Sequence, residues 1–371
     1  TGVQTCALPI SPAPEPPPGR DFGPPREPPD GAAALRPSPA MLDHVDRVLR
    51  PASHRDGAAV ALGRSLTRQG ALHVEYDSTR TRTAAEAFEA RSGNCLSLVL
   101  MTAALADALN LPVDFREVLQ DNQWSRLAGL YVASGHVNLA LGPRLPTHGS
   151  GYRQHQRWIV DFLPAEDVLG QPYRYRSRAQ ILGLYLNNRA AEWLLQGDLD
   201  SAHAWAWAAL AQAPDTGPAY TTLGVVYLRH GDLSAAESLL RQGLARHPDH
   251  PPLLANLAQA LVRQGRAADA ATVSDRLAQV EGRAPFADLQ RGMAALRAGD
   301  AAEARRLFLR ELARDPDYHE FHFALALAEA RLGQPAIALR HLQLASDHSP
   351  QAGLRTLYSA KADHLREALA R

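Results

Sequence analysis

The sequence predicts an α+β domain followed by an all-α solenoid of helical hairpins. Glycine recurs every 34 residues, at Gly197, Gly231, Gly265, Gly299 and Gly333, a period that belongs to stacked two-helix units. An apolar helix opening on Cys95 is followed by two extended segments, 127–141 and 156–164, rich in β-branched and aromatic residues and bounded by Gly or Pro. A helix followed by strands is the α+β order.

The chain has 371 residues, enough for two domains that each bury a core. Lys plus Arg and Asp plus Glu are both 39, so the formal charge is zero, and no basic block offers itself to a phosphate backbone. Nucleic acid is therefore not an expected partner. The longest apolar stretch, Leu96 to Leu111, is interrupted by Asp107 and Asn110. It falls short of the roughly 20 residues that cross a bilayer, so no transmembrane helix is expected. Cys6 and Cys95 lie in segments too different in character to form a disulfide framework.

The first ten residues, TGVQTCALPI, read like the translation of a sequencing-library adapter. On that reading residues 1–10 have no counterpart in the natural coding sequence, and the natural N-terminus lies upstream. Residues 11–39 are dominated by Pro, Gly and charge, as in PAPEPPPGR and PPREPPD, and are expected to be a disordered linker. Pro-rich tethers follow export signals, which favours the cell envelope over the cytoplasm.

The α+β domain is placed at 40–175. Met41, Leu42, Val45, Val48 and Leu49 recur at helical spacing, and a second amphipathic stretch runs from Val60 to Leu72. Thr83 with Glu86 three residues on marks a helix start, and Ser92-Gly93-Asn94 reads as a turn. The next helix begins at Cys95 and ends near Asn110.

In the second half, small residues recur five positions after each repeat glycine, at Ala202, Ala236, Ala270, Ala304 and Ala338. Seven before it stand Ala190, Gly224, Ala258, Gly292 and Ala326. Pro214, Pro248, Pro316 and Pro350 follow each glycine by seventeen, Gly282 being the exception, and Trp193, Tyr227 and Leu261 precede it by four. Small residues let two helices approach, Gly ends the first helix and Pro stops the second. The pattern resembles five tetratricopeptide repeats over 183–352, with a capping helix at 353–371 that carries Leu354, Leu357, Tyr358 and Leu365 on one side.

Cys95 is the candidate nucleophile, because a thiol in the first turn of a helix faces the positive end of the helix dipole and ionises more easily. The plainer reading is a buried thiol in an apolar helix. His136 and Asp161 follow on successive extended segments, in GHVNLAL and WIVDFLP. That order, with RSGNCLSLVL around the cysteine, resembles the transglutaminase-like superfamily, which is related to papain. The resemblance is closest to bacterial proteins that join such a domain to tetratricopeptide repeats. It implies that Cys95 is the nucleophile, His136 its base and Asp161 the group that orients the base. The tryptophan that better-known members carry upstream of the cysteine has no counterpart. The backbone N–H of Cys95 and an unidentified side chain would then stabilise an oxyanion.

His73 and Asp167 do not fit that order and read as structural. Arg80, Arg82, Arg91 and Asn94 either position a carboxylate or hold the loop before Cys95. His319 and His322 sit three apart without a third ligand, so no metal site is expected, and nothing calls for a cofactor. Asn187, Thr221, Asn256 and His322 are polar residues on the first helices of repeats and are candidate lining for a groove that takes a protein or peptide partner. Two functions stay open. One is a thiol amidase, peptidase or acyl transferase; the other is an interaction scaffold in which the papain-like domain is only a fold.

Overall fold

The computed structural model describes residues 22–67, 72–127, 130–142, 157–162, 171–281, 286–349 and 352–369. The expectations for residues 1–10, Cys6 among them, for residues 11–21 and for Asp167 lie outside these. The chain forms two compact units: one runs through Val273 apart from Gln123–Ser125, and the other holds those three residues and Ser274–Arg371. The division falls inside a repeat helix, not between the α+β part and the repeats. The reason is a shared core, since one buried apolar cluster runs from Met41 and Leu100 to Leu210, Tyr220 and Ala270.

The first unit opens with α1 (Pro39–His44), a π-helical turn over Val45–Leu49, and α2 (Arg50–Asp56), end to end. Ser38 caps α1 by accepting from the Met41 N–H at 3.3 Å, and Pro39 takes the first helical position, where a missing N–H costs nothing. Met41, Val45 and Leu49 are buried while Leu42 and Val48 stay exposed, so the apolar stripe is narrower than the spacing alone implies. Helix α3 spans Ala58–Ser65. Strands β1 (Glu75–Tyr76) and β2 (Ser92–Gly93) pair in parallel around α4 (Ala84–Ala90). The capping box at Thr83 forms as read from the sequence, with Thr83 Oγ1 accepting from Glu86 N at 3.2 Å and Glu86 Oε2 accepting from Thr83 N at 2.8 Å.

Helix α5 (Cys95–Ala108) is buried on every side from Leu96 to Ala106, as befits a helix that is apolar all round. It packs on a four-stranded sheet of order β5-β4-β3-β6, formed by β3 (Val113–Leu127), β4 (Leu130–Leu141), β5 (Trp158–Val160) and β6 (Tyr173–Arg176). Strands β3 and β6 were not legible in the sequence, because charged residues break their apolar alternation. Those charges are met across strands: Arg157 donates to Asp114 at 2.6 Å, Arg116 lies 3.7 Å over the Tyr173 ring, and Glu117 accepts from Arg174 and Arg176.

The reading of 11–39 as a disordered linker does not hold for 22–39. From Phe22 to Glu27 the chain lies against the first repeats, Ala34 is fully buried in the core, and a 3-10 turn over Ala32–Leu35 touches α4 and α5. Composition correctly denies this stretch a core of its own; it borrows the core of its neighbours instead.

The repeats follow as hairpins α6 (Arg178–Leu195) with α7 (Leu199–Gln212), α8 (Gly217–His230) with α9 (Leu233–Arg246), and α10 (Pro251–Arg263) with α11 (Ala267–Glu281). The second unit holds α12 (Ala287–Arg297) with α13 (Ala301–Leu312), α14 (His319–Arg331) with α15 (Pro335–His348), and the closing helix α16 (Ala352–Leu369). All five repeat glycines have positive φ, between 71° and 91°, the left-handed turn that a side chain resists. Gly224 answers a second need, since a Cβ there would stand 2.6 Å from Leu240. Asp198, Asp232 and Asp300, each just after a repeat glycine, cap the second helix of their hairpins through N–H groups at 2.9–3.1 Å. On α16, Tyr358 and Ala362 are buried against α14 and α15, whereas Leu357 is 45 % exposed and so lies off the expected face.

Arg189 of α6 is buried and donates to Glu192 at 2.5 Å, and Glu192 in turn accepts from the Thr81 backbone N–H at 2.6 Å. This pair ties the first repeat to the loop before Cys95. Replacing Glu192 by Ala strands a buried guanidinium, and we expect a loss of about 3 kcal/mol of stability by denaturant titration, with Glu192→Gln losing less. In the second unit His322 donates Nε2–H to Pro316 O at 2.8 Å and meets His341 Nδ1 at 3.1 Å. Burial, with His322 and Arg340 nearby, lowers the His341 pKa from 6.5 to about 4. A lowered folded pKa means the unfolded chain takes up the proton first. Stability from this residue is therefore complete above about pH 6.5 and drains away as the pH falls toward about 4. A melting series over that range should show a shallower slope for His341→Gln than for the parent chain.

Candidate functional site

Gly93, Asn94 and Cys95 set the start of α5. A Cβ on Gly93 would stand 2.6 Å from the Cβ of Ser97, so only glycine lets β2 run this close to the helix. Asn94 is the N-cap, its Oδ1 accepting from Ser97 N at 2.9 Å while its Nδ2 donates to Thr81 Oγ1 at 2.8 Å. The sharp change of direction falls at Arg91, with φ of 51°, rather than at Ser92-Gly93-Asn94, two of which form β2. Cys95 is half-buried and its thiol is free.

His136 on β4 and Asp161 just past β5 lie on neighbouring strands, and Leu139 pairs with Val160 in the register. His136 Nε2 contacts both Asp161 oxygens, at 2.8 and 3.0 Å, with only 7 % of its surface exposed. Cys95 lies near enough to act electrostatically on the same imidazole. With Nε2 turned to the carboxylate, Nδ1 is the nitrogen left to face the sulfur. Burial opposes a charge on His136, but Asp161 and Cys95 outweigh it and raise its pKa to about 9. Of the three residues that sequence order singled out, His136 and Asp161 are in direct contact.

Two neighbours were missed. Asn138 donates Nδ2–H to Asp161 Oδ2 at 2.6 Å, fixing the carboxylate from its second side. Its signal was present in His136-Val137-Asn138, since residues two apart on a strand share a face. Tyr76 sits opposite Gly93 in the β1–β2 register, half exposed and near the Cys95 backbone. Burial, and then the charge of Cys95, push its hydroxyl pKa up. The strand pair that brings it there is only two residues long, too short for periodicity to reveal.

The arginines before Cys95 hold the loop: Arg82 pairs with Asp77 at 2.8 Å, Arg80 with Glu86 at 2.8 Å, and the Arg82 N–H donates to Ser97 Oγ at 2.8 Å. Thr79 and Arg82 hold the Asp77 carboxyl down at about 2. His73 pairs with Glu75 at the surface, at 3.9 Å. His319 bonds Tyr358 Oη at 3.0 Å while His322 bonds Pro316 and His341, so the two turn to different partners. Among the described residues no cluster of His, Cys, Asp or Glu is arranged to hold a metal.

The four groove candidates turn inward. Thr221 returns its hydroxyl to Gly217 O at 3.2 Å, Asn256 donates to Pro252 O at 2.9 Å from a fully buried position, and Asn187 and His322 are 9 % and 4 % exposed. Thr221 and Asn256 thus bond their own helices four residues back, and all four side chains are buried.

Two tetratricopeptide repeat family models match, over residues 227–291 and 289–352. Solved structures with similar chains include a thermophilic tetratricopeptide protein, TTC0263 of Thermus thermophilus (24 % identity, 48 % of this chain, 97 % of that one, TM-score 0.37). YrrB, a tetratricopeptide protein with an unusual peptide-binding site, matches at 22 % identity over 48 % of this chain and 92 % of its own (TM-score 0.27). PilF of Pseudomonas aeruginosa matches at 17 % over 50 % and 84 % (TM-score 0.34). No curated protein matches the chain. Among the described residues no helix is long and apolar enough to cross a membrane. Residues 227–352 are built of tetratricopeptide repeats, a module that binds protein or peptide partners.

Proposed function

We propose that the chain is an interaction protein whose repeats dock a peptide or a partner helix. The observation that carries this is the array itself, in which left-handed glycines and aspartate caps repeat along a run of helical hairpins. Such an array buries its core between neighbouring units and leaves an extended surface for a partner. A peptide-library selection on the full chain should enrich an extended peptide or an amphipathic helix with a defined spacing of anchors. Selection that enriches no sequence would sink this reading.

A second reading is favoured by one observation, the imidazole of His136 held by Asp161 with Cys95 near enough to act on its charge. In this reading the α+β part, 40–175, is transglutaminase-like and runs thiol acyl chemistry. His136 holds the thiol proton as imidazolium, the Cys95 thiolate attacks a carbonyl carbon, and the tetrahedral oxyanion forms beside the Cys95 N–H and the Tyr76 hydroxyl. His136 returns the proton to the departing amine as the C–N bond breaks, leaving a thioester on Cys95. Water or a second amine then attacks the thioester, His136 takes its proton, and the C–S bond breaks to release the acyl product and restore the Cys95–His136 pair.

Intact-mass spectrometry with amide and ester panels should show an acyl adduct on Cys95 that Cys95→Ser abolishes. Asp161→Asn should slow its formation by roughly 10³- to 10⁴-fold, as loss of the orienting carboxylate does in Ser-His-Asp enzymes. Tyr76→Phe should slow it by about 10² while leaving the melting curve in place. Absence of any adduct, together with alkylation of Cys95 no faster than in denatured protein, leaves the scaffold alone.

The His136 ion pair also has a pH signature. A folded pKa raised from 6.5 to about 9 stabilises the folded chain fully below about pH 6.5, and that stability is lost as the pH rises through about 9. His136→Gln should therefore flatten the fall in melting temperature between pH 7 and 10 relative to the parent chain.

A further inference from the structure

Residues 22–30 have no helix or strand, and none of them is buried. They nevertheless make a dense and ordered set of contacts with α6, α7 and α8. The Phe22 ring stacks on His203 with centroids 3.8 Å apart and planes 5° from parallel, meets Tyr227 edge-on at 5.3 Å and lies 4.4 Å from His230. The Gly23 N–H donates to Asp200 Oδ1 at 2.8 Å, and a Cβ there would stand 3.1 Å from that carboxylate. The Arg26 N–H donates to Ser201 Oγ at 3.0 Å while its guanidinium pairs with Asp198 at 2.9 Å. The Glu27 carbonyl accepts from Trp205 Nε1–H at 2.9 Å, and its carboxylate meets Arg189 at 3.3 Å.

This is the way a groove reads an extended peptide: side chains of the receptor bond the backbone at intervals, a pocket takes one anchor, and charges fix the far end. Pro24 and Pro25, between the anchor and the charged pair, restrict the backbone to extended forms and lower the entropy lost on docking. The pocket suits an aromatic ring. Trp207 Nε1, which can only donate, gives its hydrogen to His203 Nε2 at 2.8 Å, so His203 is neutral and presents a flat face. Burial lowers its pKa to about 4, which agrees.

We propose that α6–α8 form a peptide-binding site for proline-containing extended peptides that carry an aromatic residue, glycine next to it and an Arg-Glu pair four residues on, and that Phe22–Glu27 is its resident ligand in cis. The site rests on the interaction reading and names the ligand chemistry for one part of the array. A tethered ligand acts at about millimolar effective concentration, so a peptide in trans competes only when the cis segment is weakened.

The test uses the full chain and a labelled synthetic peptide of residues 22–30, FGPPREPPD. The double variant Phe22→Ala, Arg26→Ala should bind this peptide at least tenfold more tightly than the parent chain does. A scrambled peptide should not bind. Adding Asp200→Ala or Trp205→Phe to the double variant should reduce binding at least fivefold, with melting curves matched to confirm that each chain is folded. Equal binding by parent and double variant, no binding above the scrambled control, or a double variant that no longer folds would each show that 22–30 is a fixed part of the fold. Such a result beside a successful library selection removes this site alone; failure of both removes the interaction reading as well.

Discussion

The buried guanidinium of Arg189 is the constraint around which the first unit is arranged. A cation taken out of water must be met on several sides, and here Glu192 meets it at 2.5 Å and Trp205 lies 5.4 Å away. Glu192 has a second oxygen to satisfy, and the Thr81 N–H supplies the hydrogen. Thr81 then accepts from Asn94, which caps the helix that begins with Cys95. The first repeat and the start of the nucleophile helix are therefore placed by the same short run of hydrogen bonds. This accounts for a shared core across what composition and periodicity divide into two parts.

How much of this was legible follows from the range over which each signal acts. The repeat glycines were plain because a left-handed turn every 34 residues leaves no other residue at ease. The capping box at Thr83 was plain because all its atoms lie within four residues. The pairing of His136 with Asp161 was expected from chain order and a resemblance, not from any local pattern. Tyr76 was hidden because a two-residue strand has no period, and β3 because its charged residues find partners on β6 and beyond β4.

The groove candidates Asn187, Thr221, Asn256 and His322 are all buried. Polar side chains on the first helices were read as facing a ligand, yet Thr221 and Asn256 bond their own helices four residues back. Small neighbours bring the helices so close that a short polar side chain there has no route to solvent, and a backbone carbonyl is the acceptor within reach. Recognition in the first unit falls instead to the start of the second helix of the hairpin. Asp198, Asp200, Ser201 and Trp205 there face the extended segment that composition alone marks as a linker.

Whether the segment on α6–α8 governs the thiol can be decided from magnitudes. Among the described residues its ion-pair link to the run of bonds that reaches Asn94 is Glu27 to Arg189, at 3.3 Å with the Glu27 side chain 55 % exposed. An exposed pair of that kind contributes about 0–1 kcal/mol, whereas turning a two-state equilibrium over takes about 5.5 kcal/mol. Arg189 keeps Glu192 when Glu27 leaves, so the Thr81 and Asn94 bonds that set the helix start have no reason to change. A peptide that displaced the segment would therefore alter what the chain binds without altering the state of Cys95. The repeats and the thiol centre share a scaffold but are not, through this contact, a switch.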